Sequence, residues 1–245
     1  MKNNSISINL FYHLYYKSGL DIMYKALKKI PDYGLNIFIN ISHDTIQKEQ
    51  LYFDIKNKYP KAIIIFSTNV GKDIGAKLAL INLSIKLGVN SDYSIFLHDK
   101  KSPHTILGEV WREKLFNIIE TENISKILSI FEQNNKIGII AAKEFIANEY
   151  DSKNRDFNNT SNHILKDLIQ KYNFNLNNYD FVGGTMFWIR AEIIQIFFNK
   201  YSPLEIRSTL EKGNVLDHEH GTNTHAWERM LSWIAIDQGY TIKGI

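Results

Sequence analysis

Hydrophobic and polar positions divide the chain into two textures. From Ile6 to about Ile140, short apolar runs alternate with stretches of helical period, the pattern of a parallel sheet built from βαβ units. The runs predict strands at Ile6–Leu14, Leu35–Ser42, Ala62–Ser67, Tyr93–Leu97 and Ile137–Ala142. Helices are predicted between them. Ser18–Lys29 stops at Ile30-Pro31, Thr45–Lys58 stops near Pro60, Gly75–Leu87 stops at Gly88, and Leu107–Glu120 carries Trp111 and Leu115 four residues apart. Past residue 142 the texture loosens. The stretch 151–162 and the Asn-rich Lys171–Asn178 read as polar connections, and connections of that length in a compact domain often carry function. A strand at Phe181–Ile189, a helix at Ala191–Asn199 and a final amphipathic helix at Thr222–Gln238 complete the reading. Without repeats or a boundary, the expectation is one α/β domain over 1–245, with a first half at 1–142 and a second at 143–245.

Composition narrows the class. With 44% hydrophobic and 22% charged residues in 245, the chain can bury a sizeable core. No apolar run approaches the roughly 20 residues that span a bilayer, and the amino end lacks a signal-peptide apolar region, so the expected location is the cytoplasm. A net charge of +3 without a basic run argues against a nucleic-acid partner, and is compatible with peripheral association at the inner membrane face. The absence of cysteine excludes disulfides, thiolate metal sites and cysteine nucleophiles.

Candidate chemistry gathers where strands end, because α/β sheets bind ligands at the carboxyl ends of their strands. After Tyr93–Leu97 come His98, Asp99, Lys100 and Lys101, a carboxylate beside basic groups that suits a diphosphate, through a divalent cation on Asp99 or directly by the lysines. After the third strand, Asn69-Val-Gly71-Lys-Asp73 is a glycine turn opening a helix, though neither a phosphate loop nor a dinucleotide fingerprint. Gly183-Gly184 precedes Phe187, Trp188 and Arg190; in a strand the two rings face opposite ways, so one can fill the core while the other meets a sugar. Residues 217–229 hold the densest set of titratable groups. His218, His220 and His225 could be read as zinc ligands of a hydrolase, although their spacing is not that of His-Glu-x-x-His. Thr222 or Asn223 could equally cap a helix that carries Glu228 in its second turn.

Taken in order, Asn69-x-Gly71, Leu97-His-Asp-Lys100, Val182-Gly-Gly-Thr-Met-Phe-Trp-Ile-Arg190, and Glu228 eleven residues before Gly239-Tyr240 resemble a glycosyltransferase of the GT-A type. More closely, Tyr12-His13-Leu-Tyr-Tyr16, Asn69-x-Gly-Lys-Asp-Ile74, His98-x-Lys-Lys-Ser102, Gly184-x-Met-Phe-Trp-x-Arg190 and Gly221-Thr-x-x-His-Ala-x-Glu-Arg229 are similar to the rhamnan-synthesis protein F family of bacterial polysaccharide transferases. Two positions depart from its pattern, Asp99 replacing Thr and His220 replacing Asp. The resemblance implies a GT-A-like, Rossmann-type sheet and inverting transfer of a sugar, such as rhamnose or a galactofuranose-type hexose. The donor would be a nucleoside diphosphate sugar, and the acceptor a hydroxyl of a glycan or lipid-linked oligosaccharide. It further implies Glu228 as base with His225 beside it, Tyr12, His13, Asn69, Gly71, Asp73, His98, Asp99, Lys100 and Lys101 on the donor side, with Mg²⁺ or Mn²⁺ on Asp99. Gly183, Gly184, Trp188 and Arg190 would be on the acceptor side, making 1–142 the nucleotide-sugar half and 143–245 the acceptor half. A non-catalytic sugar-nucleotide-binding module is the other reading of the same fold.

Overall fold

Alternation along the strands gives both faces of the sheet an apolar surface, and the helices between them cover both. The computed structural model describes residues 6–31, 34–99, 108–217 and 220–245. The first half runs β1 (Ile8–Leu14), α1 (Gly19–Lys29), β2 (Leu35–Ser42), α2 (Lys48–Lys58), β3 (Ile63–Ser67), α3 (Lys72–Lys86), β4 (Tyr93–His98), α4 (Gly108–Phe116), α5 (Thr121–Gln133) and β5 (Ile137–Ala141). The second half runs β6 (Ile146–Ala147), β7 (Tyr150–Asp151), β8 (Asp156–Phe157), α6 (Asn162–Tyr172), β9 (Phe181–Val182), β10 (Phe187–Arg190), α7 (Ala191–Lys200), α8 (Pro203–Ser208), α9 (Asn223–Asp237) and β11 (Thr241–Gly244).

Seven of these strands form one sheet in the order β11-β5-β10-β4-β1-β2-β3. Every pairing is parallel except those of β10, which runs antiparallel to both β4 and β5. The sheet is therefore mostly parallel, with helices on both faces, as the alternating pattern predicts. On one face Leu10, Tyr12, Ile39, Leu97 and Trp188 pack in a core with Met23 of α1, Leu51 of α2 and Ile127 of α5. On the other, Phe11 meets Phe38 and Phe96 at centroid distances of 5.3 and 5.2 Å, and Phe96 meets Phe187 at 5.2 Å. This row of rings crosses four strands beneath α3, α7 and α9, each ring contributing about 1.5–3 kcal/mol by its removal from water.

Beyond elements it did not name, such as α6, α8 and β11, the pattern-based reading differs from the structure in two places near the site and the sheet. The stretch expected as one strand at Phe181–Ile189 is two, broken by a turn in which Gly184 and Thr185 have φ of +75° and +51°, values no strand accommodates. Residues 121–133, to which the pattern-based reading assigned no element, form α5, whose Ile124, Ile127 and Phe131 are buried at helical spacing. Among the described residues no helix is long and apolar enough to cross a membrane.

Candidate active site

The parallel register lines up polar side chains at the carboxyl ends of the central strands. His13 of β1 stands opposite His98 of β4 on one side and Asn40 of β2 on the other. Asn40 Nδ2 donates to Ser67 Oγ at 2.7 Å, and Asn40 Oδ1 lies 3.0 Å from His13 Nδ1. With its amide directed at Ser67, Asn40 presents an acceptor, so His13 carries its proton on Nδ1 and leaves Nε2 as a lone pair. Burial pushes the His13 imidazole down to about 4, which keeps it neutral near pH 7.

Helix α3 brings a charged group onto this row. Lys77 is wholly buried, and its ammonium donates to Asp73 Oδ2 at 2.5 Å, one helical turn back, and to Thr185 Oγ1 at 2.5 Å. Thr185 Oγ1 donates in turn to Asp73 Oδ2 at 2.6 Å, closing a triangle. His98 Nδ1 sits 3.3 Å from Lys77 Nζ and 3.6 Å from Asp73 Oδ2. Burial alone would raise the Asp73 carboxyl, but Lys77, His98 and the two donated hydrogen bonds outweigh it and hold the group well below the usual carboxylate range. Lys72, at the start of α3 with a left-handed φ of +50°, lies in the field of Asp73, Glu228, Asp217 and Glu211.

Helix α9 closes the opposite side. Its amino end is capped twice: Thr222 Oγ1 accepts from His225 N at 3.1 Å, and Glu211 accepts from Asn223 N and Thr224 N at 2.7 and 2.9 Å. One turn in, Glu228 Oε1 accepts from Gly184 N at 2.6 Å, while Oε2 accepts from Arg229 Nη1 at 2.8 Å. Arg229 is itself held by a bidentate pair with Glu149, with contacts of 2.8 to 3.1 Å. His225 Nδ1 is 2.6 Å from Thr222 Oγ1 and 3.9 Å from Asp217 Oδ2. Burial and the nearby Lys72 lower its imidazole pKa against the opposing pull of Asp217 and Glu228. The turn 182–185 thus touches α3 through Thr185 and α9 through Gly184, and it gathers Asp73, His98, His13, Gly183, Gly184, Glu228 and His225 at one end of the sheet.

Several expected site residues belong elsewhere. Asp99 is buried, and its two oxygens accept from Tyr15 N and Tyr16 N at 2.9 and 2.6 Å, fastening β4 to the turn after β1. A Cβ on Gly19 would stand 2.2 Å from Asp99 Oδ2, so that close approach requires glycine. Among the described residues no three His, Asp or Glu side chains converge so as to hold a metal ion. Asp99 uses one lone pair of each oxygen on these amides, and the described residues bring no set of three ligands around it for the expected divalent cation. Tyr12 faces the core beneath α1 rather than the row of histidines, and its buried hydroxyl has no hydrogen-bond partner among the described residues. Burial, reinforced by Asp99, raises its phenol well above the usual value.

Trp188 lines no acceptor surface. It is wholly buried, with Nε1 donating to Ile118 O at 2.9 Å; the two rings of β10 do face opposite ways, but both faces are covered. Arg190 pairs in register with Tyr93 at the start of β4, at the other end of the sheet. There its guanidinium donates to the carbonyls of Ile137, Phe131 and Asn134 at 2.8, 2.6 and 3.1 Å. Gly71 donates its amide to Glu211 O at 2.7 Å, and Asn69 Nδ2 donates to Asn214 Oδ1 at 3.2 Å, so both bind the 211–214 segment. Lys100, Lys101 and His218 lie outside the described residues, and His220 is exposed. Sequence reasoning missed Lys77, Lys72 and Thr185. The available signals were a lysine within the apolar run of α3 and a threonine directly after two glycines.

A mostly parallel sheet with charged groups collected at the carboxyl ends of its strands defines an α/β protein whose candidate site lies where such sheets bind ligands. The chain matches the family model described as rhamnan synthesis protein F over residues 1–240. It belongs to that family. No curated protein matches it. Among solved structures it is similar to the mannosyltransferase PcManGT from Pyrobaculum calidifontis in complex with GDP-Man and Mn²⁺, at 12% identity over 97% of this chain and 54% of that one, with a TM-score of 0.45. It is also similar to S. aureus TarS 1-349 in complex with UDP, at 9% identity, 95% and 65% coverage and a TM-score of 0.39. Mouse xyloside xylosyltransferase 1, in its apo form, is a third, at 10% identity, 98% and 85% coverage and a TM-score of 0.34. The chain spans about half the length of the mannosyltransferase, 54%.

Proposed function

We propose that the chain transfers a sugar, with inversion, from a nucleoside diphosphate donor to a hydroxyl of a bacterial surface glycan, with Glu228 as the base. The observation that carries this reading is the Gly184 N to Glu228 Oε1 hydrogen bond of 2.6 Å, which holds a partly exposed carboxylate at the strand ends, on the same turn that contacts Asp73. An ionised carboxylate offers about four acceptor sites. Gly184 and Arg229 occupy one on each oxygen of Glu228, and a remaining lone pair takes the acceptor hydroxyl's proton. The acceptor oxygen then bonds to the anomeric carbon as the bond from that carbon to the diphosphate oxygen breaks, and the diphosphate departs with the electron pair. Lys72, at the amino end of α3 and in the field of Asp73 and Glu228, would offset that developing charge. Asp73 uses Oδ2 for the triangle, leaving Oδ1 to accept a donor hydroxyl, and His13 and His98 would stand on the nucleotide side.

A deoxyhexose such as rhamnose is the donor sugar that the family's description suggests, with a galactofuranose-type hexose as the alternative. The mildly basic chain suits work beside an anionic membrane face carrying a lipid-linked acceptor. The experiment is a thermal-shift screen of uridine, guanosine, thymidine and cytidine diphosphate sugars, followed by nucleoside diphosphate release with and without glycan acceptor. One donor that raises the melting temperature and releases its diphosphate on addition of acceptor supports the reading. Absence of any shift overturns it.

A further inference from the structure

Lys77, a wholly buried lysine, hydrogen-bonds to neither Glu228 nor Lys72, the residues assigned to proton transfer and charge neutralisation. Lys77 is fully buried in the middle of α3, where an apolar residue of similar volume would often serve stability at least as well. Its ammonium, the Asp73 carboxylate and the Thr185 hydroxyl form a closed triangle of contacts of 2.5, 2.5 and 2.6 Å between elements 108 to 112 residues apart in sequence. Thr185 is itself strained. It is β-branched with φ of +51°, a conformation that persists only where the surroundings over-determine it. The residue before it, Gly184 at φ +75°, donates its amide to Glu228. The clamp therefore grips one residue of the turn, and the neighbouring residue grips the carboxylate.

We infer that Lys77 and Thr185 are positioning residues for Glu228: the Lys77–Asp73–Thr185 triangle fixes the Gly183–Thr185 turn on α3 so that the Gly184 amide holds the carboxylate on α9 in place. Neither residue touches the reacting atoms. The position of Glu228 is set from the donor-side helix, through a turn of three residues, so α3 and α9 act as one unit. The inference rests on the reading of Glu228 as the base.

The test compares full-length wild type with Lys77→Met, Thr185→Val and Thr185→Ser. Melting temperature, exchange of the Gly184 amide hydrogen by NMR, and kcat and KM for whichever of the four nucleoside diphosphate sugar classes the wild type turns over are measured on each. Thr185→Val keeps the branching and loses the hydroxyl, whereas Thr185→Ser keeps the hydroxyl. In Thr185→Val and Lys77→Met, Gly184 exchange is expected to speed up about 10–100-fold, the loss typical of a hydrogen bond to a charged group. A comparable fall in kcat should accompany it, with donor KM within about threefold, and Thr185→Ser should recover most of both. Unaltered Gly184 exchange in both disruptive variants overturns the clamp. Faster exchange with unchanged kcat overturns the positioning role. If Lys77→Met does not fold, the Thr185→Val and Thr185→Ser pair decides alone. If wild type turns over no donor, the transferase reading fails, and the exchange measurement still decides whether the clamp exists.

Discussion

Gly184 N and Glu228 Oε1 are 2.6 Å apart although 44 residues separate them, so a turn that interrupts the strand region fixes a carboxylate on the last helix. The two partners come from motifs that sequence reading assigned to different roles, acceptor loop and base, and the hydrogen bond makes them parts of one arrangement.

Replacing Glu228 with Gln should leave this hydrogen bond intact, since a carboxamide oxygen still accepts from Gly184, while removing the capacity to take a proton. kcat is expected to fall by about 10²–10⁴ with donor KM within about threefold, measured by nucleoside diphosphate release. A rate within a factor of ten of wild type would shift the base assignment to His225, whose lowered pKa also leaves it neutral near pH 7.

Trp188→Ala tests core against surface. Removing a fully buried indole should cost about 3–5 kcal/mol of stability in urea unfolding. The acceptor KM of the remaining folded protein should be unchanged. Weakened acceptor binding at unaltered stability would restore the ring to the acceptor surface.

Asp99→Asn turns one of two acceptor oxygens into a donor that faces a backbone amide. Stability should fall by about 1.5–3 kcal/mol. The effect of Mn²⁺ on the melting temperature should be the same in variant and wild type. A response to Mn²⁺ present in wild type and lost in the variant would return Asp99 to the role of metal anchor.

His13 predicts a pH dependence. Its folded pKa of about 4 lies below the ordinary 6.5, so between these values the unfolded chain binds a proton that the folded one does not. The contribution is present in full above pH 6.5 and is lost as pH falls toward 4, amounting to about 3 kcal/mol. The depressed carboxyl of Asp73 adds a loss of the same sign at lower pH. Urea unfolding from pH 7 to 4.5 should show the decline, and His13→Asn should flatten it; an equal slope in the variant would assign the decline to other groups.

What could be read from the chain alone was what depends on local period. Strands β1 to β5, helices α1 to α3 and the final helix lie within a few residues of their expected bounds, because alternation and helical spacing are properties of neighbouring residues. Period two also placed Phe187 and Trp188 on opposite faces. It could not say that both faces are covered, since that depends on α5 and the segment before it meeting Trp188 from 70 residues away. Nor could it split the strand at Gly184, where the positive φ of Gly184 and Thr185 is held by partners on α3 and α9. A carboxylate at the end of β4 was plain in the sequence. Its use was decided by the chain returning at Tyr15 and Tyr16 to present two amides, which turned an expected metal ligand into a fastening. Lys77 reads as an ordinary helical lysine, and only the packing of α3 between the sheet and α7, α8 and α9 buries it and obliges its charge to find Asp73 and Thr185. Local chemistry determined which residues could act; the meeting of distant segments, through burial and hydrogen-bond satisfaction, decided which of them stand together.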